Sequence, residues 1–413
     1  MNVFRQFRSF DRPTRLLAVN QFTINVGFYM LMPYLAAHLS VGLGLAGWLV
    51  GFILGVRNFS QQGMFFLGGA LADRFGYKPM IVAGCALRTL GFATLGLVDS
   101  VPALVIASAA TGFAGALFNP AVRAYVAQDA GERRVEAFAL FNVFYQSGIL
   151  LGPLIGLALT GVAFQLTCVV AAVVFAALTV LQVRSLPAAR ASVVTERTGG
   201  WRAVLANRRF LAFSFAMIGS YVLSFQVYLA LPLETRRLAP SEATGTIFVG
   251  ALFAVSGVIA IAGQLRITAW FRDRFSRGQC LTIGLAFLGL AFVPPIATAS
   301  SPASAFAFVP VLLSAALLSL GTVIVFPFEM DTIVALAREE RVATYYGLYN
   351  TICGIGIAVG NLVTGAVLDL ARQHGVAWVP WLALVLIGGA CAFGVHTLAR
   401  SGRLEPRLAP SPA

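Results

Sequence analysis

The chain has 413 residues, of which 59% are hydrophobic and only 11% are charged, with a formal net charge of +13. Soluble domains contain about 25% charged residues, so this composition excludes a soluble enzyme, a soluble nucleic-acid binder and a disordered chain. It suits a lipid bilayer, where one helical span takes about 20 apolar residues, and the length leaves room for roughly a dozen spans.

Twelve apolar segments follow one another along the chain, each long enough for a membrane helix. They cover residues 16–39, 44–70, 79–98, 102–127, 137–161, 164–186, 210–233, 244–269, 279–298, 304–335, 344–368 and 377–398. Several arginines precede the first segment, as in a signal peptide. This segment is too long for one, so we expect it to be retained as a helix.

The longest polar gap, residues 187–209, separates two sets of six spans. We therefore predict an N-terminal six-helix bundle over residues 1–186 and a C-terminal bundle over 210–400. Residues 187–209 form the linker between them, and residues 401–413 form a tail. Lys and Arg are concentrated in the termini, the linker and alternate connections, which predicts that both termini and the linker are cytoplasmic.

The two sets of spans resemble each other in sequence. Asp73-Arg74-Phe75 recurs as Asp273-Arg274-Phe275, and residues 118–142 align with residues 326–350. The order and the nearly constant offset predict an all-α membrane protein made of two related bundles. Such a repeat places a substrate site between the halves, near the middle of the membrane.

A short charged segment lies between the second and third spans. It contains Gly69, Asp73, Arg74, Gly76 and Lys78. We expect the two glycines to allow a tight turn between helices. The segment resembles the loop signature of the major facilitator superfamily, with Tyr77 where that family usually has a basic residue. The resemblance implies that these residues belong to a cytoplasmic charge network that latches the two halves in one state.

A second signature lies in the fifth span, where Gly148, Gly152, Pro153 and Gly156 occur together. Glycines four residues apart allow another helix to approach closely. With the proline, the segment resembles the antiporter signature of the drug:proton antiporter branch of the same superfamily, which implies export. The signature of that branch in the fourth span is incomplete, because Ser108 stands where its arginine belongs.

Two arginines lie near the middle of predicted spans, where charged side chains are costly and are candidates for function. Arg57 has no carboxylate at a similar depth. It either holds an anionic group of a substrate or braces the bundle by bonding neighbouring helices, and the sequence does not distinguish the two roles. For Arg88, in the third span, a structural role is favoured.

Arg123 and Asp331 occupy equivalent positions in the fourth and tenth spans. We expect them to face each other when the inner side closes, and protonation of Asp331 would then bias the two states. Glu329 lies two residues earlier and points away around the helix. We assign all three residues to proton coupling or gating, with a static network as the alternative.

Candidate cavity residues are polar or aromatic and recur at helical spacing in the inner spans. They are Gln21, Asn25, Tyr29, Arg57, Gln61, Asn142, Tyr145, Gln146, Tyr221, Ser224, Tyr228, Tyr349 and Asn350. Any one of them could instead bond only to a neighbouring helix.

Together these features predict a transporter that exports small amphipathic compounds in exchange for protons, from the bacterial inner membrane and as a monomer. The alternatives are a dedicated exporter of a metabolite such as a siderophore, an uptake symporter for a nutrient and a non-transporting membrane protein. No metal, nucleotide or other cofactor motif and no enzymatic nucleophile–base pair is evident. The expected partners are a small-molecule substrate, protons and the bilayer, and no nucleic acid.

Overall fold

A computed structural model describes residues 3–31, 34–35, 38–160, 163–187, 200–299, 307–338 and 340–404. Throughout these ranges the regular structure is helical, and no strand occurs in them. The predicted all-α class is therefore confirmed. Residues 188–199 of the predicted linker and residues 405–413 of the predicted tail lie outside the described residues.

The N-terminal helices include several that coincide with long apolar runs of sequence. They are α1 (Val3–Arg8), α2 (Arg12–Tyr29), α3 (Gly47–Gln62), α4 (Phe65–Phe75), α5 (Tyr77–Leu97), α6 (Val101–Ala130), α7 (Arg134–Thr160), α8 (Phe164–Ser185) and α9 (Gly200–Ala206). Proline lies in the first helical positions of α2 and α6, where its fixed φ is favourable and its missing N–H costs nothing.

The remaining helices lie between residues 208 and 400. They are α10 (Arg208–Ser224), α11 (Ala230–Leu238), α12 (Glu242–Val258), α13 (Gln264–Arg274), α14 (Arg277–Leu290), α15 (Val293–Thr298), α16 (Phe308–Ala337), α17 (Val342–Gln373) and α18 (Val379–Arg400). Side-chain caps fix several starts: Asn207 accepts from the Phe210 N–H, and Ser276 and Gln279 form a capping box at α14. Such caps satisfy N–H groups that have no partner within the helix.

The chain forms two compact units. The first contains Met1–Ala206 and Glu339–Thr351, and the second contains Asn207–Arg338 and Ile352–Ala413. Helix α17 thus contributes its first turns to the first unit and the rest of its length to the second. This grouping departs from a division at the linker, because residues 339–351 pack with the N-terminal helices.

Several predicted spans are interrupted. The span 44–70 is divided into α3 and α4 at Gly63 and Met64, and the span 210–233 is divided by a 3₁₀ turn at Phe225–Val227. A π-helical turn at Ile259–Gly263 separates α12 from α13. Each interruption lies inside a segment that is apolar on average, so hydropathy alone did not predict it. By contrast, α8 matches its predicted range of 164–186 to within one residue at either end.

Among the described residues, nine helical segments are long and apolar enough to cross a membrane. One of them, Val101–Gly156, covers two predicted spans. The predicted spans 16–39 and 44–70 are not among the nine.

The sequence repeat is visible in the buried face of the third span. Helix α5 in the first unit and α14 in the second align at the offset of 200 that relates Asp73 to Asp273. The buried pairs at this offset are Ile81 and Leu281, Gly84 and Gly284, Cys85 and Leu285, Arg88 and Leu288, and Phe92 and Phe292. The same positions therefore form the core of both units.

Candidate functional site

Asp73, near the end of α4, binds the first turn of α17. Its carboxylate accepts hydrogen bonds from the Thr344 N–H at 2.7 Å, the Thr344 hydroxyl at 2.5 Å and the Ala343 N–H at 3.3 Å. The Tyr77 hydroxyl donates to the same carboxylate at 3.2 Å. An acidic side chain at a helix N-terminus satisfies unpaired N–H groups and interacts favourably with the helix dipole.

The electrostatics of Asp73 reflect two opposing effects. Burial raises the pKa of its carboxyl group, and the hydrogen bonds from Thr344, Ala343 and Tyr77 act in the opposite direction. Tyr77, which replaces the usual basic residue of the family signature, contributes one of these hydrogen bonds. The charge of Asp73 is thus balanced by a helix N-terminus and two hydroxyl groups.

Glycines allow α4 and α17 to approach this closely. A Cβ atom on Gly69 would lie 2.2 Å from the Ala343 carbonyl oxygen, and one on Gly347 would lie 2.3 Å from the Phe65 carbonyl oxygen. Gly69 is therefore required for helix packing in α4, and the expectation that it forms part of a turn is wrong. The turn falls at Gly76, whose φ of 98° favours glycine.

Arg74 and Lys78 do not join this contact. Arg74 is exposed, and its guanidinium lies 5.3 Å from the ring centroid of the neighbouring Phe75. Within the described part of the chain neither residue forms an ion pair. Their membership of a charge network remains a prediction.

The glycines of the fifth-span signature face α2. A Cβ atom on Gly148 would lie 2.6 Å from the Asn25 Cβ, one on Gly152 2.7 Å from the Tyr29 Cβ, and one on Gly156 2.0 Å from the Met30 carbonyl oxygen. No larger residue fits these positions without moving α2 away from α7. The carbonyl oxygen of Pro153 accepts a hydrogen bond from the Tyr34 hydroxyl at 2.7 Å.

The second unit repeats this arrangement between α17 and α10. Gly356 and Gly360 of α17 lie against Ile218 and Val222 of α10. These glycines correspond to Gly148 and Gly152 at the offset of 208. Both units therefore use a glycine strip to pack the equivalent pair of helices.

The polar stripe of α2 bonds largely to its own bundle. The Gln21 amide donates to Asn25 at 3.2 Å, and the Asn25 amide donates to the Tyr145 carbonyl oxygen at 2.9 Å. Gln21, Asn25 and Asn142 are buried, whereas Tyr29, Tyr145 and Gln146 are partly exposed. For Asn25 the structure shows bonding to the neighbouring helix α7, which was the alternative to a cavity role, whereas the hydrogen bond of Gln21 lies within α2.

Two arginines share one aromatic ring in the first unit. The guanidinium carbon atoms of Arg57 and Arg88 lie 4.9 Å and 5.3 Å from the ring centroid of Phe28. Gly115 leaves room beside them, because a Cβ atom there would lie 3.0 Å from Arg88 Nη2 and 3.3 Å from Gln61. The predicted cavity residues Arg57 and Gln61 are thus brought together with Arg88.

The predicted coupling residues have partners that the sequence did not indicate. Arg277 Nη2 lies 2.6 Å from the Asp331 carboxylate, and Arg123 donates to the Asn350 side chain at 2.8 Å. Glu329 is buried two residues before Asp331. The pairing of Arg123 with Asp331 remains a prediction about another conformation.

The other predicted cavity residues are dispersed. Tyr349 is fully buried in the first unit. In the second unit the Ser224 hydroxyl lies 3.3 Å from that of Thr322, and Tyr221 is partly exposed. Tyr228 is half exposed, with its ring beside those of Phe225 and Phe253.

Sequence reasoning missed a buried acid at the end of the seventh predicted span. Arg237 donates to both carboxylate oxygens of Glu234, at 2.6 and 3.0 Å, and Arg372 donates at 3.2 Å. Glu234 is 2% exposed. The spacing of three residues between Glu234 and Arg237 was a usable signal, but the helical partner Arg372 was not predictable from it. No group suited to a metal ion occurs in the described residues.

Residues 17–361 match the Major Facilitator Superfamily. The uncharacterized MFS-type transporter Rv0849 of Mycobacterium tuberculosis is 52% identical over 397 residues, covering 95% of this chain and 94% of that protein. The multidrug resistance protein MdtH of Salmonella arizonae is 30% identical over 374 residues and 90% of each chain. The resemblance to the major facilitator superfamily that the sequence motifs indicate is therefore confirmed.

A solved structure shows the same fold at low sequence identity. The human organic anion transporter MFSD10 superposes with a TM-score of 0.73 at 17% identity, over 93% of this chain and 99% of that chain. The match over most of the chain, together with relatives named as transporters, excludes the enzymatic alternative. The chain is a multi-pass membrane transporter that belongs to the major facilitator superfamily.

Proposed function

We propose that this transporter exports small amphipathic organic compounds in exchange for protons, by alternating access across the bacterial inner membrane. Both termini are cytoplasmic and the monomer is the working unit in this proposal. The observation that carries the export assignment is the 30% identity to MdtH proteins along 90% of the chain. The packed glycine strip of α7, which resembles the antiporter signature, supports it.

Asp331 is the proposed proton-coupling group. A buried carboxylate paired with an arginine loses its attraction for that arginine when it takes up a proton. The ion pair with Arg277 is therefore a contact that protonation can open. In the proposal Asp331 exchanges partners during the cycle, with Arg123 as the second partner, and Glu329 has a supporting role in gating.

Asp73 and the first turn of α17 form the proposed conformational latch. The contact links residues 271 positions apart in sequence through a charged side chain and the free N–H groups of a helix start. Such a contact has two discrete states, formed and broken. Gly69 and Gly76 allow the formed state, and Arg74 and Lys78 are proposed to act at the same surface.

Everted membrane vesicles with a preformed pH gradient test the function directly. A transported compound collapses the gradient in vesicles that contain the protein, and the proposal predicts that Asp331→Asn abolishes this response. The matched control is Asp369→Asn, since Asp369 is exposed in the same half of the chain. If Asp331→Asn preserves the full response, the coupling assignment is wrong.

The same assay separates the alternatives. Accumulation of the compound in intact energised cells, rather than loss from them, would establish an uptake symporter. A dedicated exporter of an endogenous metabolite is the second candidate, supported by the two guanidinium groups at Phe28, which suit an anionic compound better than a typical cationic drug. Metabolite profiles of medium from deletion and overexpressing strains decide between it and general drug efflux.

A further inference from the structure

Arg88 is a buried charge without a polar partner in the described part of the chain. Its side chain is 4% exposed, and its Nε has no hydrogen-bond partner. Two aromatic rings lie beside it: the guanidinium carbon is 5.3 Å from the centroid of Phe28 and 5.5 Å from that of Phe175. A guanidinium carries five N–H donors and does not lose its proton in a protein, so burial leaves an uncompensated charge.

A second positive charge lies beside it. Arg57 is half-buried, and its guanidinium carbon lies 4.9 Å from the centroid of the Phe28 ring. The guanidinium groups of Arg57 and Arg88 are close enough to repel each other. The acidic residues that the structure describes in the first unit are Asp11, Asp73, Asp99, Asp129, Glu132, Glu136 and Glu340. None of these forms an ion pair with Arg88. Two like charges beside one ring in a medium of low dielectric repel each other, and an anion between them would relieve that repulsion.

The repeat shows that packing does not require this arginine. The equivalent position in the second unit is Leu288, which is 1% exposed on the corresponding face of α14. Leu288 lies against Gly321, much as Arg88 lies against Gly115. A leucine therefore fills this place in the fold, and the charge at position 88 has to be explained by something other than the core.

We propose that Arg57 and Arg88 bind the anionic group of an organic cargo, such as a carboxylate or sulfonate. The planar donors of two arginines match such oxyanions, and the rings of Phe28 and Tyr29 offer an apolar surface for the rest of the molecule. The partly exposed Arg57 meets the cargo first, and Arg88 holds its charge at the buried end. This inference names the substrate class of the proposed transporter and rests on that function.

Two dyes that share a xanthene ring system but differ in charge provide the test: fluorescein, which is anionic, and rhodamine 123, which is cationic. Fluorescence anisotropy with the purified full-length protein in detergent gives both affinities without any gradient, so failure of proton coupling does not affect the result. The test variants are Arg88→Leu, which copies Leu288, and Arg57→Gln. Arg266→Leu, which removes an exposed arginine of α13, is the control.

The expected result is that Arg88→Leu and Arg57→Gln each weaken fluorescein binding about tenfold or more. Rhodamine 123 binding stays unchanged, and Arg266→Leu behaves as the wild type. If Arg88→Leu does not fold, Arg57→Gln alone carries the comparison. Wild-type affinity for fluorescein in the folded test variants, or tighter binding of rhodamine 123 than of fluorescein by the wild type, would overturn the proposal.

Chloride is the competing occupant, and thermal unfolding in chloride against gluconate at equal ionic strength detects it. A halide site requires that chloride raises the unfolding midpoint of the wild type but not of Arg88→Leu, while fluorescein binds both proteins equally. That combination would overturn the assignment to an organic cargo. Displacement of fluorescein by chloride from the wild type alone would support it, since both then compete for the same guanidinium groups.

Discussion

The two copies of the Asp-Arg-Phe segment have the same sequence and different surroundings. At the end of α4, Asp73 accepts three hydrogen bonds from the first turn of α17. At the end of α13, Asp273 is 58% exposed and pairs with the adjacent Arg272 at 3.2 Å. The repeated Asp-Arg-Phe sequence therefore shows that the two halves are related. Whether a copy forms a long-range contact depends on the helix that lies opposite it.

The residue after each segment differs as well. Gly76 turns the chain in a conformation that favours glycine, while Ser276 caps α14 with its hydroxyl and with Gln279. The first copy depends on the close approach of the α4 and α17 backbones at Gly69. In the second copy Ser276 and Gln279 cap the start of α14. Three changes test whether this difference is what makes the first copy distinct.

Asp73→Ala is expected to have the largest effect. It leaves the Ala343 and Thr344 N–H groups of α17 without their charged acceptor, which costs about 3 kcal/mol for the contact and so about a hundredfold in its equilibrium constant. Hydrogen exchange of the Ala343 and Thr344 amides should accelerate to that extent. Asp273→Ala is the matched control and should leave the exchange of α17 unchanged; equal effects of the two variants would contradict the comparison.

Gly69→Ala should have the next largest effect. The new Cβ atom would lie 2.2 Å from the Ala343 carbonyl oxygen, so α4 and the first turn of α17 must separate, at a cost of about 1–3 kcal/mol. Faster exchange of the same amides and slower transport are the measured outcomes. Gly55→Ala is the control: nothing lies within 4 Å of its Cβ position, and alanine should stabilise that helix by about 1 kcal/mol.

The pH dependence of the contact is expected to be the smallest effect. Burial raises the pKa of Asp73, so the state with the contact binds a proton more tightly than the state in which the carboxylate is in water. The contact should therefore strengthen as pH falls towards the ordinary pKa of a carboxyl group and weaken as pH rises. The measurement is the hydrogen-exchange rate of the Ala343 and Thr344 amides in the wild type divided by the rate in Asp73→Asn, because this ratio cancels the intrinsic pH dependence of exchange. A ratio that does not change with pH would rule the effect out.

The positions of glycines were a reliable guide to packing, and the positions of charges were a poor guide to partners. Gly148 and Gly152 were expected to allow a close helix approach, and they lie directly against Asn25 and Tyr29 of α2. A glycine's lack of a side chain is a local property that has the same consequence wherever a helix meets it. The ion pair of Asp331 with Arg277, in contrast, was not predicted, because Arg277 lies outside the predicted span 279–298; the pairing with Arg123 remains a prediction.

The sequence analysis also did not predict the helix interruptions. The π-helical turn at Ile259–Gly263 lies inside an apolar stretch, and the break at Gly63 follows the polar residues Gln61 and Gln62 inside a predicted span. Hydropathy measures the preference of a segment for lipid, and that preference is the same for a straight and an interrupted helix. The interruptions depend on hydrogen bonds and on neighbouring helices, and the mean hydropathy of a segment contains information about neither.

The sequence by itself determined that the protein is an all-helical membrane transporter of two related halves, because the transfer of apolar side chains to lipid and the repeated motifs depend on residue type and order alone. Only the tertiary structure decided that Asp73 caps α17 and that Arg57 and Arg88 meet at Phe28. These contacts join residues far apart in the chain. Their geometry depends on how closely the helices pack, so the partner of a charged residue is determined by the tertiary structure.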